Sequence, residues 1–315
     1  MAELFYLPLL FSLYHVQGND YLLVEVEDIV SRYVSPNNGA GPLWCYGAPL
    51  LVRQGDNVYV SVMETGEDVL PLCNTRWQLF QRDAHGWMLQ QQADQFRERE
   101  PCPIVGFMDG KLFLSINPST QPPGTRYGPC DPHLLQFTPE APREPGIPVR
   151  PRWDEDNRFT DHSYRGIAAD GARGEILVLN IHSQTGAQFW SYRDASGAWS
   201  RHGQIKFPIR SCYPQVALRN RSAHVLAIGD IVEPIEEWRT YKHEQTGRDW
   251  DYVFRRLFYT WTPDITQQSP LPPFSKGGRG DFAPPIELEN LDATSGYIRN
   301  LDLWIDSSGA AHILY

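Results

Sequence analysis

The chain has 315 residues, with 28 Lys plus Arg against 38 Asp plus Glu and a formal net charge of −10. That balance offers a nucleic-acid duplex or an anionic membrane no basic footprint, so neither is an expected partner. A hydrophobic fraction of 41% with 12% aromatic residues excludes a disordered chain, and no apolar run approaches the roughly 20 residues that span a bilayer.

The 25 Gly and 26 Pro, together with 10 Trp and 15 Tyr, predict many short aromatic strands joined by turns. Five cysteines without a close pair predict neither a disulfide framework nor a zinc ribbon. The opening stretch MAELFYLPLLFSLYHVQGND carries Glu3, lacks an early Lys or Arg and is interrupted by Pro8. It makes a poor secretory signal, and the expected compartment is the cytoplasm by default.

In chain order, one hairpin pattern returns five times. It reads CYGAPLLVRQGDNVYVSV from Cys45, PCPIVGFMDGKLFLSIN from Pro101, SYRGIAADGARGEILVLNI from Ser163, CYPQVALRNRSAHVLAIGD from Cys212 and YIRNLDLWIDSSGAAHILY from Tyr297. Each copy leads alternating apolar residues into a polar turn and a β-branched strand. Between them lies a second hairpin, clearest in WQLFQRDAHGWMLQ from Trp77 and FWSYRDASGAWSRHG from Phe189, with weaker partners LLQFTP at Leu134 and RRLFYTWTP at Arg255. In its turn Asp accepts backbone N–H groups, Gly supplies a positive φ and Trp fills the gap between sheets. Two hairpins make one four-stranded sheet. The expected fold is an all-β propeller of four-stranded antiparallel blades in one domain over residues 1–315.

Five blades are visible, and the strand that stops at Tyr315 leads us to expect a C-terminally incomplete chain, seven-bladed at full length. Closure of a five-bladed ring by FYLPLLFSLYHV and YLLVEVEDIV is the alternative. Residues 267–285, rich in Pro, Gly and charge, read as a flexible low-complexity insertion. Residues 233–252 read as an inter-blade insertion, with a short helix after Pro234 capping one face.

SYRDASGAW resembles a degenerate Asp-box of bacterial-neuraminidase-type repeats. NGAGPLWCYGAPL, REPCPIVGF, RFTDHSYR, SCYPQVALR and EWRTYKHEQTGRDWDYVFRRLFYTWTPDI resemble an uncharacterised bacterial family carrying such repeats. This resemblance covers nearly the whole chain and implies a distant similarity to propeller-type polysaccharide lyases, the ulvan lyases among them.

Inner strands of a propeller converge, so the starts of the five first hairpins are the expected site. They carry Tyr46, Arg99 with Glu100, His162 with Tyr164 and Arg165, Arg210 with Tyr213, and Arg299. This set suits β-elimination from a uronic-acid polysaccharide, which needs a cation on the carboxylate, a base for the C5 proton and an acid for the departing oxygen. The lyase resemblance implies His162 as base, Tyr213 as acid with Tyr164 beside it, and Arg165 or Arg210 as the carboxylate clamp. Tyr46, Arg99 and Arg299 complete the expected substrate contacts.

Structural readings stand beside these: His162 can bond a turn, Tyr164 and Tyr213 can pack between blades, and Arg165 and Arg210 can pair with carboxylates such as Asp161 or Glu100. Cys45, Cys102 and Cys212 share one repeat position, which asks for a small apolar group; a thiolate metal site is the lesser reading. No cofactor is expected, a structural metal ion is left open, and the expected partner of a monomer is a poly- or oligosaccharide. Two alternatives remain: a non-catalytic glycan- or protein-binding propeller, and a glycoside hydrolase using Asp161, Asp230 and Glu233.

Overall fold

The computed structural model describes residues 27–42, 48–138, 141–153, 159–160, 164–182, 185–248, 252–267 and 282–315. The chain separates into two compact units, residues 1–32 and 33–315. Of the first, only residues 27–32 are described, without helix or strand; everything below concerns the second.

Its described strands form four four-stranded antiparallel sheets and two two-stranded ladders. The first holds β1 (Leu51–Gln54), β2 (Asn57–Thr65), β3 (Thr75–Asp83) and β4 (Gly86–Gln92). The second holds β5 (Ile104–Gly106), β6 (Leu112–Ile116), β7 (His133–Phe137) and β8 (Ile147–Val149), and the third β9 (Arg165–Asp170), β10 (Glu175–Ile181), β11 (Gln188–Arg193) and β12 (Trp199–Ile205). In the fourth, β13 (Ser211–Arg219) and β14 (Ser222–Gly229) pair onward to β17 (Arg256–Thr262) and β18 (Ile286–Asn290). The excursion between β14 and β17 carries a small ladder of β15 (Ile231–Val232) with β16 (Tyr252–Val253) and the helix α1 (Glu236–Thr246). A last hairpin, β19 (Asp302–Ile305) with β20 (Ala311–Leu314), follows.

The first strands β1, β5, β9, β13 and β19 touch one another in that order. Successive sheets therefore stand as the blades of a β-propeller with these strands innermost. The five repeated hairpins become β1–β2, β5–β6, β9–β10, β13–β14 and β19–β20. Among the described residues, four of these sheets have four strands and β19–β20 is a two-stranded hairpin.

The core lies in the seams between blades. Along β10, Ile176 and Val178 face the cluster of Phe107, Phe113 and Leu134 from the second blade. Leu177 and Leu179 face Leu218, Val225 and Ile265 on the other side. Period-2 alternation thus serves two hydrophobic faces, which is why Ile176 to Leu179 is an unbroken apolar run although it lies in one strand. Trp199 packs into the seam between the second and third blades.

Turn chemistry repeats with the strands. Asp194 Oδ1 accepts from the backbone N–H groups of Ser196 (2.9 Å) and Ala198 (3.2 Å), with Gly197 at φ +88°. Asp306 Oδ1 does the same for Ser308 (2.8 Å) and Ala310 (3.0 Å), with Gly309 at φ +88°.

Inner turns are packed tightly. A Cβ on Gly171 would lie 2.7 Å from the Gly106 carbonyl oxygen, so backbone must move to admit it. Gly171→Ala is expected to lower stability by about 2 kcal/mol, read as a fall in melting temperature; an unchanged melting temperature would contradict this packing.

On β14, His224 is buried, bonded to the Ser222 and Tyr259 hydroxyls and stacked 6.2 Å from Trp261. Burial lowers its pKa from 6.5 to about 4. The unfolded chain therefore takes up this proton first, and the neutral imidazole's contribution is full above pH 6.5 and is lost as pH falls towards 4. Between those limits His224→Gln is expected to flatten the stability profile by at most about 3 kcal/mol, measured by urea melts across pH.

Candidate functional site

The starts of the inner strands gather charged and aromatic side chains from several blades. Arg165, the first residue of β9, is 3% exposed. It crosses the seam to the segment leading into β5, where its Nη1 pairs with Glu98 Oε2 (3.3 Å) and its Nη2 donates to the carbonyls of Pro101 (2.8 Å) and Glu100 (3.3 Å). Glu98 also accepts the Asn117 N–H on both oxygens at 3.0 Å. Burial pushes the Glu98 carboxyl up, against the pull of Arg165 and Asn117. Beside this pair, Arg99 Nη1 meets Glu100 Oε1 (3.4 Å) and its Nε donates to the Asn38 carbonyl (3.2 Å). Asn38 is itself buried and donates to the carbonyls of Leu72 and Arg99 and to Asn74 Oδ1.

Tyr164, just before β9, packs its ring 4.2 Å from that of Tyr213. Both are buried, and burial, with Cys212 and Glu100 nearby, holds the Tyr164 phenol well above its ordinary value. Tyr213 sits at φ +49°, within the irregularity of β13 between Cys212 and Gln215. A bulky side chain in that region carries strain and persists only where its surroundings fix it. Here Asn300, on the segment leading into β19, donates its side-chain amide to the Tyr213 carbonyl (2.5 Å).

From this pair an aromatic row runs outward. Tyr213 lies 5.7 Å from Phe254, Phe254 lies 5.4 Å from Tyr297, and the Arg299 guanidinium stands 5.6 Å above the Tyr297 ring. Tyr213, Phe254, Tyr297 and Arg299 line one small hollow. Tyr297 is 55% exposed, and Arg299 is exposed as well.

Arg210 is partly exposed, bonded to the Asp230 carboxylate and 5.5 Å from the Tyr252 ring. Glu233 is held by both terminal nitrogens of Arg255, and Arg255 lies 4.8 Å from the Trp238 ring of α1. Of the residues nominated from sequence, the structure joins Tyr164, Tyr213 and Arg299 along the aromatic row, with Arg99 and Glu100 beside Tyr164. Arg165 and Arg210 are engaged by Glu98 and Asp230. Tyr46, Asp161 and His162 lie outside the described residues.

Glu98, Phe254 and Asn300 escaped the sequence reading. Glu98 and Asn300 carried only the signal of standing beside the nominated Arg99 and Arg299. Cys102 and Cys212 are buried free thiols whose pKa burial raises. Among the described residues no group of three or more His, Cys, Asp and Glu could hold a metal ion, and no helix is long and apolar enough to cross a membrane.

No family model matches the chain, and no curated protein does. Among solved structures it is similar to a GH43_1 enzyme from Xanthomonas citri, at 10% identity and TM-score 0.37 over 57% of this chain and 62% of that one. An exo-1,5-alpha-L-arabinanase from a bovine ruminal metagenomic library gives 8% identity and TM-score 0.41 over 86% and 97%. The phage phi92 endosialidase gives 12% and 0.40 over 82% and 39%. The chain thus spans less than two thirds of the X. citri enzyme. At such scores these likenesses carry no argument about activity, and the blade arrangement rests on the strand pairing itself.

Glu98→Gln leaves the Arg165 charge buried without its counter-ion and is expected to cost about 3 to 5 kcal/mol. Adding Arg165→Met should recover a large part of that loss in urea melts; strictly additive losses would show that the two side chains do not depend on each other.

Proposed function

We propose that this propeller binds a uronic-acid-containing polysaccharide where its inner strands begin, with Tyr297 as the stacking platform and Arg299 as the carboxylate partner. The observation that carries this reading is the aromatic row from the buried Tyr164–Tyr213 pair to the exposed Tyr297, ended by a guanidinium. A sugar ring offers an apolar C–H face to an aromatic ring, and a uronate adds an anion that a guanidinium recognises in a bidentate manner. With a body of net charge −10, attraction for such a polymer has to be local, at the cations of this face.

β-Elimination is the catalytic form of the same reading. A base takes the C5 proton, its electron pair forms the C4–C5 double bond, the C4–O bond breaks, and an acid protonates the departing glycosidic oxygen. His162 would be the base and Tyr213 the acid. The strained, externally fixed backbone of Tyr213 favours a role beyond packing. Arg165, enclosed by Glu98 and two carbonyls, is a poorer clamp than Arg299 on accessibility.

The test is incubation with ulvan, alginate and pectin while following both retention and the ultraviolet absorbance of an unsaturated product. We expect retention that weakens about tenfold in Tyr297→Ala and falls with added salt in wild type more steeply than in Arg299→Ala. A rise in absorbance abolished by Tyr213→Phe establishes elimination; retention without it leaves a binding module. New reducing ends without absorbance would favour hydrolysis through Asp161, Asp230 and Glu233, and no retention of any polymer would reject the reading.

A further inference from the structure

At the opposite end of the inner strands, where the turns β1–β2, β5–β6 and β9–β10 meet, lies a cleft of about 550 Å³. That is within the size range of small-molecule sites and far from the aromatic row along the strand direction. Its lining includes Gln54, Asn57, Tyr59, Gln81 and Met108.

The lining pairs neutral amides and a phenol with one guanidinium, Arg53, whose Nε donates to the Gly55 carbonyl (3.0 Å). Gln54 Nε2 donates to the carbonyls of Phe107 (3.2 Å) and Lys111 (3.3 Å), which orients the amide and turns its oxygen into the remaining acceptor. Gln81 Nε2 donates to Asn57 Oδ1 (2.9 Å). That bond leaves Asn57 with donor N–H groups and Gln81 with an acceptor oxygen. Tyr59 is 3% exposed, yet it lines the cleft and its phenol is raised by burial alone, with no hydrogen bond contributing. Met108, 83% exposed, adds a soft apolar rim, while Asp109 at the edge is neutralised by Lys111.

We propose that this cleft is a second site, for a neutral saccharide of one to three rings, recognised by Gln54, Asn57, Tyr59 and Gln81. Adjacent sugar hydroxyls each donate and accept, matching paired amide donors and acceptors together with a phenol that does both. Arg53, tied by its Nε to the Gly55 carbonyl, adds further N–H groups that sugar hydroxyls can accept. The site is independent of the polysaccharide reading, since no lining residue belongs to the aromatic row.

Calorimetric titration of the full chain with xylotriose, cellotriose and maltotriose tests it. We expect saturable binding of at least one trisaccharide, insensitive to salt and weakened about tenfold by Tyr59→Phe and by Gln81→Leu, with Tyr297→Ala at wild-type affinity. Tyr59→Phe keeps the ring in the core, and thermal melts confirm that each variant is folded. The proposal is overturned if no trisaccharide binds saturably, if both cleft variants bind as wild type does, or if Tyr297→Ala abolishes binding. Loss of polysaccharide retention in Tyr297→Ala with trisaccharide binding intact separates the two sites.

Discussion

Burying a guanidinium between two blades is the constraint on which the inner architecture depends. Arg165 starts the third blade but spends its donors on the second, on Glu98 and on the Glu100 and Pro101 carbonyls. An uncompensated charge in that seam would be prohibitive, so blade spacing, strand start and the path of residues 98–102 are fixed together. The same segment holds Arg99, Glu100 and Asn38 in register, and through Tyr164 it sets the inner end of the aromatic row.

Outward from that seam the structure trades rigidity for access. Tyr164 and Tyr213 are enclosed, Phe254 is intermediate and Tyr297 is open. Asn300 reaches back from the fifth hairpin to hold Tyr213 in a conformation that its side chain disfavours. Four segments remote along the chain thereby share one line of contacts. A ligand stacked on Tyr297 would lean on a platform whose far end is locked into the core.

Much of the fold was legible because seams impose period-2 alternation and turns impose chemistry. β1–β2 and β9–β10 follow directly from their apolar spacing and glycine turns. β8 and β18 were not legible: one is IPV after a long connection, the other IELEN beyond residues 268–281, and both are outer strands with exposed side chains. An edge strand needs backbone pairing more than apolar residues, so its sequence says little. The turn at Asp306 repeats that at Asp194 in its hydrogen bonds, although the sequence reading placed its Asp-box signal in the second hairpins alone.

For the site, repeat position nominated Tyr164, Tyr213 and Arg299, which the structure brings onto one row of contacts. It could not assign partners. Glu98 and Arg165 are 67 positions apart and Tyr213 and Asn300 are 87 apart, and such pairings depend on the seam geometry rather than on local pattern. We propose that a uronate chain lies along the outer end of the aromatic row. A crystal structure with a bound uronate tetrasaccharide tests it most directly: one sugar ring should face Tyr297 with a carboxylate bonded to Arg299. A ligand seated elsewhere on the blades, with the Tyr297 ring bare, would contradict it.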